Sequence, residues 1–148
     1  MLPARLNGQL YLENVLHRLN EWIQNLDLPQ HVKEGIIFMQ DGSPVHYRRQ
    51  VVDWLNNNFT NRWIGRNGPI RWPARSPDLN PSDFFLWGRI KELVYKIPVE
   101  NRDDALLKIQ QAFQSLSPEE IMKATHGIVR RSMACFNVQG GHFEQIPH

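Results

Sequence analysis

Cysteine is nearly absent from this sequence, since Cys135 is the single one among 148 residues. One cysteine cannot form an internal disulfide, so a reducing compartment is the expected setting. Long hydrophobic runs are also missing: no stretch of about 18 apolar residues occurs, and the sequence therefore predicts no membrane span. The first five residues lack the apolar segment of a secretory signal. We therefore expect an intracellular protein that does not enter a membrane.

The chain has little net charge of either sign. Its 17 Lys and Arg nearly balance its 15 Asp and Glu, which leaves a formal net charge of +2. The charges are unevenly distributed, because six arginines lie between positions 48 and 75 with Asp53 as the one acid among them. These arginines are Arg48, Arg49, Arg62, Arg66, Arg71 and Arg75. Such a pattern permits nucleic acid as a partner without requiring it.

Apolar and aromatic side chains are plentiful. Hydrophobic residues make up 41% of the chain, with five Trp and seven Phe, which is typical of a folded domain. Apolar positions recur at helical spacing in five stretches, at about 9–26, 44–59, 81–96, 101–116 and 118–137. The last stretch has a strong start signal, because Ser117 precedes Pro118 and two acids.

Predicted strands are few by comparison. Residues 35–39 are mostly apolar on consecutive positions, which predicts a strand covered on both faces. Residues 62–65 form a second short candidate. Residues 66–80 contain three prolines, which predicts an irregular loop. The order of the elements therefore predicts an α/β fold that is short of strands.

Two acidic residues occupy positions where proteins often bind ligands or metal ions. Asp41 follows the strand at 35–39, and the carboxyl ends of strands are where α/β proteins bind ligands. Asp83 lies in the first turn of the helix at 81–96. If the two carboxylates converge, they offer the hard oxygen ligands that a divalent cation prefers.

Each of these signals also has an ordinary structural explanation. Asp41 with Gly42 is a common turn sequence. Asn80 and Asp83 have the spacing of a simple helix cap, with Asp83 favoured by the helix dipole. His46, close behind Asp41, fits a turn or surface histidine better than a metal ligand. Taken one at a time, these residues leave both explanations open.

Three longer segments carry a resemblance to a known family. They are residues 40–47 (QDGSPVHY), 62–70 (RWIGRNGPI) and 72–88 (WPARSPDLNPSDFFLWG). The last segment is long and specific. Together they resemble the mariner superfamily of DNA transposases, and the similarity extends from about residue 7 to about residue 144.

The resemblance implies a fold, a cofactor and a partner. The family's catalytic domain has a ribonuclease H-like fold and performs metal-dependent DNA cleavage and strand transfer. By position, Asp41 resembles the second catalytic and metal-binding acid and Asp83 the third, with Mg²⁺ (or Mn²⁺) as the expected cofactor. Asp78 belongs to the same motif and is implied to be structural. The implied partners are DNA at transposon ends, an intact transposase or a second copy of this chain, in the nucleus.

The sequence departs from the family pattern at its beginning. In the ribonuclease H-like fold the first acid lies on the first of three strands that precede the first helix, and this sequence starts almost at that helix. We therefore expect one truncated catalytic domain over residues 1–148, lacking the first three strands, with a core at about 7–97 and C-terminal helices at about 101–137. Because fewer carboxylates weaken metal binding, the chain alone is expected to be inactive. The alternative is a non-catalytic remnant that binds DNA or a transposase.

The six arginines acquire a role from the resemblance. Together with Trp63 and Trp72, they are expected to line the DNA approach to the acids, because a guanidinium binds phosphate through a planar fork of donors. The alternative is that both tryptophans belong to the core and that several arginines are only solvated. Arg130 and Arg131, on the last predicted helix, are expected to lie on a solvated face.

Overall fold

The computed structural model describes residues 6–73 and 76–141. The chain divides into two compact units, with the boundary between positions 75 and 76. Arg75, one of the six arginines, lies outside the described residues. Within those two ranges, no helix is long and apolar enough to cross a membrane. The organisation as one truncated domain stays a prediction.

The first unit opens with an almost continuous helix, as the apolar spacing at 9–26 predicts. It consists of α1 (Gly8–Tyr11), a π-helical turn (Leu12–Leu16) and α2 (His17–Asn25). Asn7 caps the start, because its side chain accepts a hydrogen bond from the Leu10 backbone N–H at 2.9 Å. A short helix, α3 (Gln30–Gly35), follows. It buries none of its residues, which explains why no apolar pattern predicts it.

Three short strands form one parallel sheet in the order β1-β2-β3. They are β1 (Phe38–Met39), β2 (Trp63–Gly65) and β3 (Ile70–Arg71). Phe38 pairs with Trp63, and Ile64 pairs with Ile70. β2 confirms the strand predicted at 62–65. The expectation that residues 66–80 are irregular throughout is wrong, because β3 lies within them.

The first strand differs from its prediction in length and in burial. It is two residues long because α3 extends to Gly35. Phe38 and Met39 are only half-buried, and Ile37 is 58% exposed. The expected cover on both faces is therefore wrong. The physical reason is that a two-residue strand at the edge of a small sheet has too little neighbouring structure to bury both of its faces.

The helix expected at 44–59 begins later than the pattern predicts. α4 spans Arg49–Asn58, and residues 44–47 form turns. The carbonyl oxygen of His46 accepts a hydrogen bond from the Gln40 side-chain Nε2 at 2.8 Å. The backbone N–H of His46 donates to the carbonyl of Ser43 at 2.9 Å. These contacts hold the segment in a turn, so proline at position 44 does not begin the helix.

Trp63 is the largest fully buried side chain of the first unit, and its indole Nε1 donates to Asn56 Oδ1 at 3.0 Å. The other buried apolar residues of this core are Tyr11, Leu16, Ile23, Val51, Leu55 and Phe59. Glycine is required beside the indole, because a Cβ at Gly65 would lie 2.6 Å from the Trp63 ring. Trp63 thus confirms the core alternative, and Trp72 is half-buried.

The second unit is helical. Its elements are a 3₁₀ turn (Pro77–Leu79), a π-helical turn (Ser82–Leu86), α5 (Trp87–Val94), α6 (Arg102–Ser115) and α7 (Pro118–Asn137). They confirm the three helices predicted after residue 80. Ser117 and Glu120 form a capping box at the start of α7. Arg89 of α5 contacts Glu120 at 3.1 Å. Helices with one small parallel sheet confirm the predicted α/β class.

Candidate metal and nucleic-acid site

The carboxyl edge of the sheet brings Asp41 and Arg66 to the same side of the first unit. β1 and β2 are parallel, so the residues that follow them leave the sheet at one edge. The hydrogen bond from the Gln40 N–H to the Ile64 carbonyl, at 3.0 Å, extends the pairing one residue beyond β1. Asp41 comes directly after this bond, and Arg66 directly after β2. The predicted position of Asp41 at a strand end is confirmed.

The two oxygens of the Asp41 carboxylate have different surroundings. Oδ1 lies 2.6 Å from Nδ1 of His46 and accepts a hydrogen bond from the Ser43 backbone N–H at 2.9 Å. Among residues 6–73 and 76–141, no hydrogen-bond donor contacts Oδ2. The side chain is 43% exposed. One oxygen is therefore anchored, and the other is open to a ligand.

A buried polar network lies behind this carboxylate. Gln40 is buried, its Nε2 donates to the His46 carbonyl at 2.8 Å, and its Oε1 accepts from the Tyr11 hydroxyl at 3.2 Å. The rings of Tyr11 and His46 lie 4.6 Å apart between centres. Burial, and then the charge of Asp41, raise the pKa of Tyr11 well above its usual range, so the phenol stays a neutral donor.

His46 is the residue of this site that the sequence pattern undervalues. A turn or surface histidine is the expected interpretation, yet its side chain is 18% exposed and its ring contacts both Tyr11 and Asp41. The motif at 40–47 places His46 five residues after Asp41, which was the available signal. The sequence alone does not show that α1 supplies an aromatic ring for the histidine to pack against.

Asp83 lies in the π-helical turn that leads into α5, and it is exposed. Its Oδ2 accepts a hydrogen bond from Asn80 Nδ2 at 2.8 Å. The other side-chain atom of Asn80, Oδ1, accepts from the Ser82 backbone N–H at 3.1 Å. Asn80 and Asp83 therefore form the cap that the spacing suggests. This cap also fixes the Asp83 side chain, so it is compatible with a role in metal binding.

Asp78 is contacted through its backbone, and the structural role that the resemblance implies for its side chain stays a prediction. Its carbonyl accepts a hydrogen bond from Arg131 Nη1 at 3.2 Å. The Arg131 guanidinium also lies over the Phe84 ring, 4.2 Å from its centre. Arg131 is half-buried, so its assignment to a solvated face is wrong. The physical reason is that the long arginine side chain reaches from α7 to the turn before Asp83.

The arginines of the first unit differ in how their donors are used. Arg62 donates from Nη1 to the Ile36 carbonyl at 2.9 Å and from Nη2 to the Asn58 carbonyl at 3.3 Å. Arg66 lies over the Tyr47 ring, 4.3 Å from its centre, and is exposed. Arg62 thus binds backbone, whereas Arg66 presents its charge at the edge that bears Asp41.

Two further arginines border an open polar cleft. Arg48 and Arg49, at the start of α4, line it with residues from the start of α1: Asn7, Gly8 and Gln9. The Arg49 side chain is 95% exposed and lies 3.7 Å from Asp53. Arg71, in β3, is also exposed. These positions are accessible to a phosphate backbone, and their contact with DNA stays a prediction.

The carboxylates present are the type of ligand that a magnesium or manganese ion prefers. Their number, however, only partly meets what such an ion requires. Both cations prefer carboxylate oxygens, and Mg²⁺ is often held by one or two carboxylates together with water and substrate phosphate. Asp41 offers an open oxygen of this kind. However, no group of three or more His, Cys, Asp or Glu side chains that could hold an ion occurs in the described ranges.

Sequence comparison finds similarity between this chain and transposases. No protein-family model matches the chain. It is 27% identical over 111 residues to the transposable element Tc1 transposase of Caenorhabditis elegans, covering 75% of this chain and 38% of that protein. It is 25% identical over 142 residues to the Tc3 transposase of the same organism, covering 94% and 39%. The chain thus spans about two fifths of the length of these relatives.

Structural comparison identifies the fold. The Mos1 transposase catalytic domain solved with Raltegravir and manganese superposes with a TM-score of 0.79 at 23% identity, covering 96% of this chain and 68% of that domain. The same domain solved with Raltegravir and magnesium gives 0.78 at 24% identity, covering 95% and 66%. The predicted partial ribonuclease H-like fold is confirmed by this likeness.

Proposed function

We infer that this chain, which shares sequence with the Tc1 and Tc3 transposases and the fold of the Mos1 catalytic domain, is part of a mariner/Tc1 transposase catalytic domain. We propose that it contributes two carboxylates to the Mg²⁺ or Mn²⁺ site of an enzyme that cleaves and transfers DNA at transposon ends. The Asp41 carboxylate carries this proposal: it follows β1, one oxygen is anchored, and the other is open.

The two acids that would hold the cation are Asp41 and Asp83. When bound, the cation supplies positive charge beside a water or a 3′-hydroxyl and so makes that oxygen a better nucleophile. The chain's own contribution is to orient the carboxylates. Ser43 and His46 hold Asp41, and Asn80 holds Asp83. Both acids therefore enter metal binding with restricted side-chain freedom.

The accessible arginines are proposed to bind the DNA backbone. Arg66 supports this role best, because it stands at the edge that bears Asp41 and is held in place by the Tyr47 ring. Arg48 and Arg49 border the cleft at the start of α1. Phosphate contacts of this kind give affinity that is independent of sequence and falls steeply with salt.

We propose that the 148-residue polypeptide by itself does not cut DNA. Two carboxylates hold a divalent cation weakly, because few anionic oxygens share its charge, and the described residues contain no cluster of three ligands. A second candidate function is non-catalytic: binding of DNA, of an intact transposase or of another copy in the nucleus. The exposed arginines at the start of α4 favour the DNA-binding form of this candidate.

A nicking assay tests this proposal. The purified chain is incubated with Mn²⁺ and DNA that carries terminal inverted repeats, alongside Asp41→Asn, Asp83→Asn and the control Asp53→Asn. We expect no nicking by any of them, and weak DNA binding that falls as salt rises. Nicking that disappears in the first two variants and persists in the control would show that the chain is active alone. Salt-insensitive binding would contradict the arginine contacts.

A further inference from the structure

We propose that His46 is a positioning residue for Asp41. Its Nδ1 lies 2.6 Å from Oδ1 of the carboxylate. With the hydrogen on Nδ1, this contact holds Oδ1 and leaves Oδ2 for a divalent cation. The inference rests on the proposed function in one respect, namely that Asp41 is a metal ligand. Hydrogen-bonded neighbours of ligating carboxylates commonly orient them and tune their affinity.

Oδ1 receives more donors than a turn requires. An aspartate in an ordinary Asp-Gly turn is satisfied by the backbone N–H two residues later, which here is the Ser43 N–H at 2.9 Å. The contact from His46 is additional, and it uses the remaining capacity of the same oxygen. Nδ1 also lies 3.4 Å from the backbone carbonyl oxygen of Asp41. With its hydrogen on Nδ1, His46 is a second donor to Oδ1, and two donors on one oxygen fix the rotation of the carboxylate, which the turn alone does not do.

His46 is itself held by one contact on its ring and two on its backbone. Its ring packs against Tyr11, the carbonyl of His46 accepts from Gln40 Nε2 at 2.8 Å, and the backbone N–H of His46 donates to the Ser43 carbonyl at 2.9 Å. With the side chain 18% exposed, the ring has little room to rotate. A positioning residue must be rigid in this way to transmit orientation.

The support continues into the core through Gln40. This side chain is 6% exposed, and both ends of its amide are used, since Oε1 accepts from the Tyr11 hydroxyl at 3.2 Å. A Cβ at Gly65 would come within 3.3 Å of Gln40 Cγ, so β2 packs closely against it. Thus α1, β1 and β2 all determine where His46 points, and through it where Asp41 points.

The first test measures Mn²⁺ binding to the full chain by calorimetry and electron paramagnetic resonance. His46→Leu removes the donor and keeps an apolar side chain of similar bulk, whereas His46→Asn retains an N–H donor near the Nδ1 position. We expect His46→Leu to weaken Mn²⁺ binding about 10-fold or more and His46→Asn to recover most of the affinity. His126→Leu, on exposed α7, is the control and is expected to bind as the unchanged chain does.

Asp41→Asn separates the two claims. If Asp41→Asn abolishes Mn²⁺ binding while His46→Leu binds like the unchanged chain, the positioning role is wrong and the metal assignment stands. If Asp41→Asn binds Mn²⁺ like the unchanged chain, the proposed function fails and the positioning role fails with it. Loss of affinity in both His46 variants alike, without recovery by asparagine, also contradicts the inference.

A second measurement is independent of metal and of any variant's folding. Long-range ¹H–¹⁵N NMR of the unchanged chain identifies which ring nitrogen of His46 carries the hydrogen. We expect the hydrogen on Nδ1, where it faces Asp41 Oδ1. An unprotonated Nδ1 would overturn the proposed contact.

Tyr11→Phe supplies a milder perturbation of Mn²⁺ binding, since it removes the hydroxyl contact to Gln40 and is expected to reduce Mn²⁺ affinity less than His46→Leu.

Discussion

The guanidinium of Arg131 lies 4.2 Å from the centre of the ring of Phe84, which is the residue next to Asp83. Nη1 of Arg131 also donates a hydrogen bond to the Asp78 carbonyl at 3.2 Å. One side chain from α7 therefore contacts both the turn before the proposed metal ligand and the residue after it. The cap formed by Asn80 keeps the Asp83 carboxylate in place. Arg131 keeps the backbone that carries this cap in place.

Replacement of Arg131 by alanine is expected to destabilise the second unit by about 1–2 kcal/mol, because it removes a cation–π contact and a hydrogen bond to a carbonyl. Urea unfolding followed by circular dichroism measures this change. The neighbouring Arg130→Ala is the control, since Arg130 is exposed and surface substitutions usually change stability by under about 0.5 kcal/mol. Equal effects of the two variants would contradict the assigned contacts.

Gly65→Ala is expected to destabilise the first unit by about 1–3 kcal/mol through overpacking. A Cβ there would lie 2.6 Å from the ring of Trp63, which is fully buried and hydrogen-bonded to Asn56. Gly42→Ala provides the comparison, since a Cβ at Gly42 meets nothing within 4 Å. Urea midpoints of both variants measure the difference. Wild-type stability of Gly65→Ala would show that the indole is packed differently.

The capping box makes the stability of α7 depend on pH. The Ser117 backbone N–H, and then Arg89, hold the pKa of Glu120 below its usual range. A lowered folded pKa gives stability that is present above the ordinary glutamate pKa of about 4.3 and is lost as pH falls through the lower value. Glu120→Gln should therefore be less stable than the unchanged chain at pH 7, with a smaller gap near pH 3.

Helical circular dichroism during urea titration at the two pH values measures this gap. Glu119→Gln is the control, since Glu119 is an exposed acid in the same first turn. It is expected to change stability less than Glu120→Gln at pH 7. A Glu120→Gln gap that stays constant between pH 7 and pH 3 would contradict the proposed contribution of the carboxylate.

Arg66→Gln is expected to weaken DNA binding and to reduce the slope of log affinity against log salt by about 1, as for one lost phosphate contact. The charge of Arg66 lies over Tyr47 in an exposed position. Arg18→Gln, on α2 and exposed, is the matched control and should leave the slope unchanged. Fluorescence anisotropy with duplex DNA at several salt concentrations gives both slopes. Identical slopes would remove Arg66 from the DNA surface.

The sequence predicts those parts of the fold that depend on local pattern. Apolar spacing identifies the first helix and the three helices after residue 80, and the Ser117 start signal identifies the capping box. The helix α3 is not predicted by apolar spacing because it buries none of its residues. The late start of α4 is not predicted because it depends on a hydrogen bond between Gln40 and the His46 carbonyl, which no local propensity encodes.

In the candidate site, too, the sequence predicts local features but not contacts between distant residues. Asp41 is found at a strand end, as its position after an apolar run predicts. The contacts of His46 with Tyr11 and of Arg131 with Asp78 join residues 35 and 53 positions apart in sequence. Spacing within a motif cannot reveal such pairs, because they arise only when separate elements pack. Arg62 likewise becomes a backbone-binding residue through the Ile36 carbonyl, 26 positions away.

The most direct test of the account is a double-mutant cycle on Mn²⁺ affinity with Asp41→Asn, Asp83→Asn and the double variant, measured by calorimetry on the full chain. If both carboxylates bind one shared cation site, each single variant loses most of the affinity and the double variant loses little more, so the effects are strongly non-additive. Additive losses, or a Mn²⁺ affinity that neither substitution changes, would contradict a shared site.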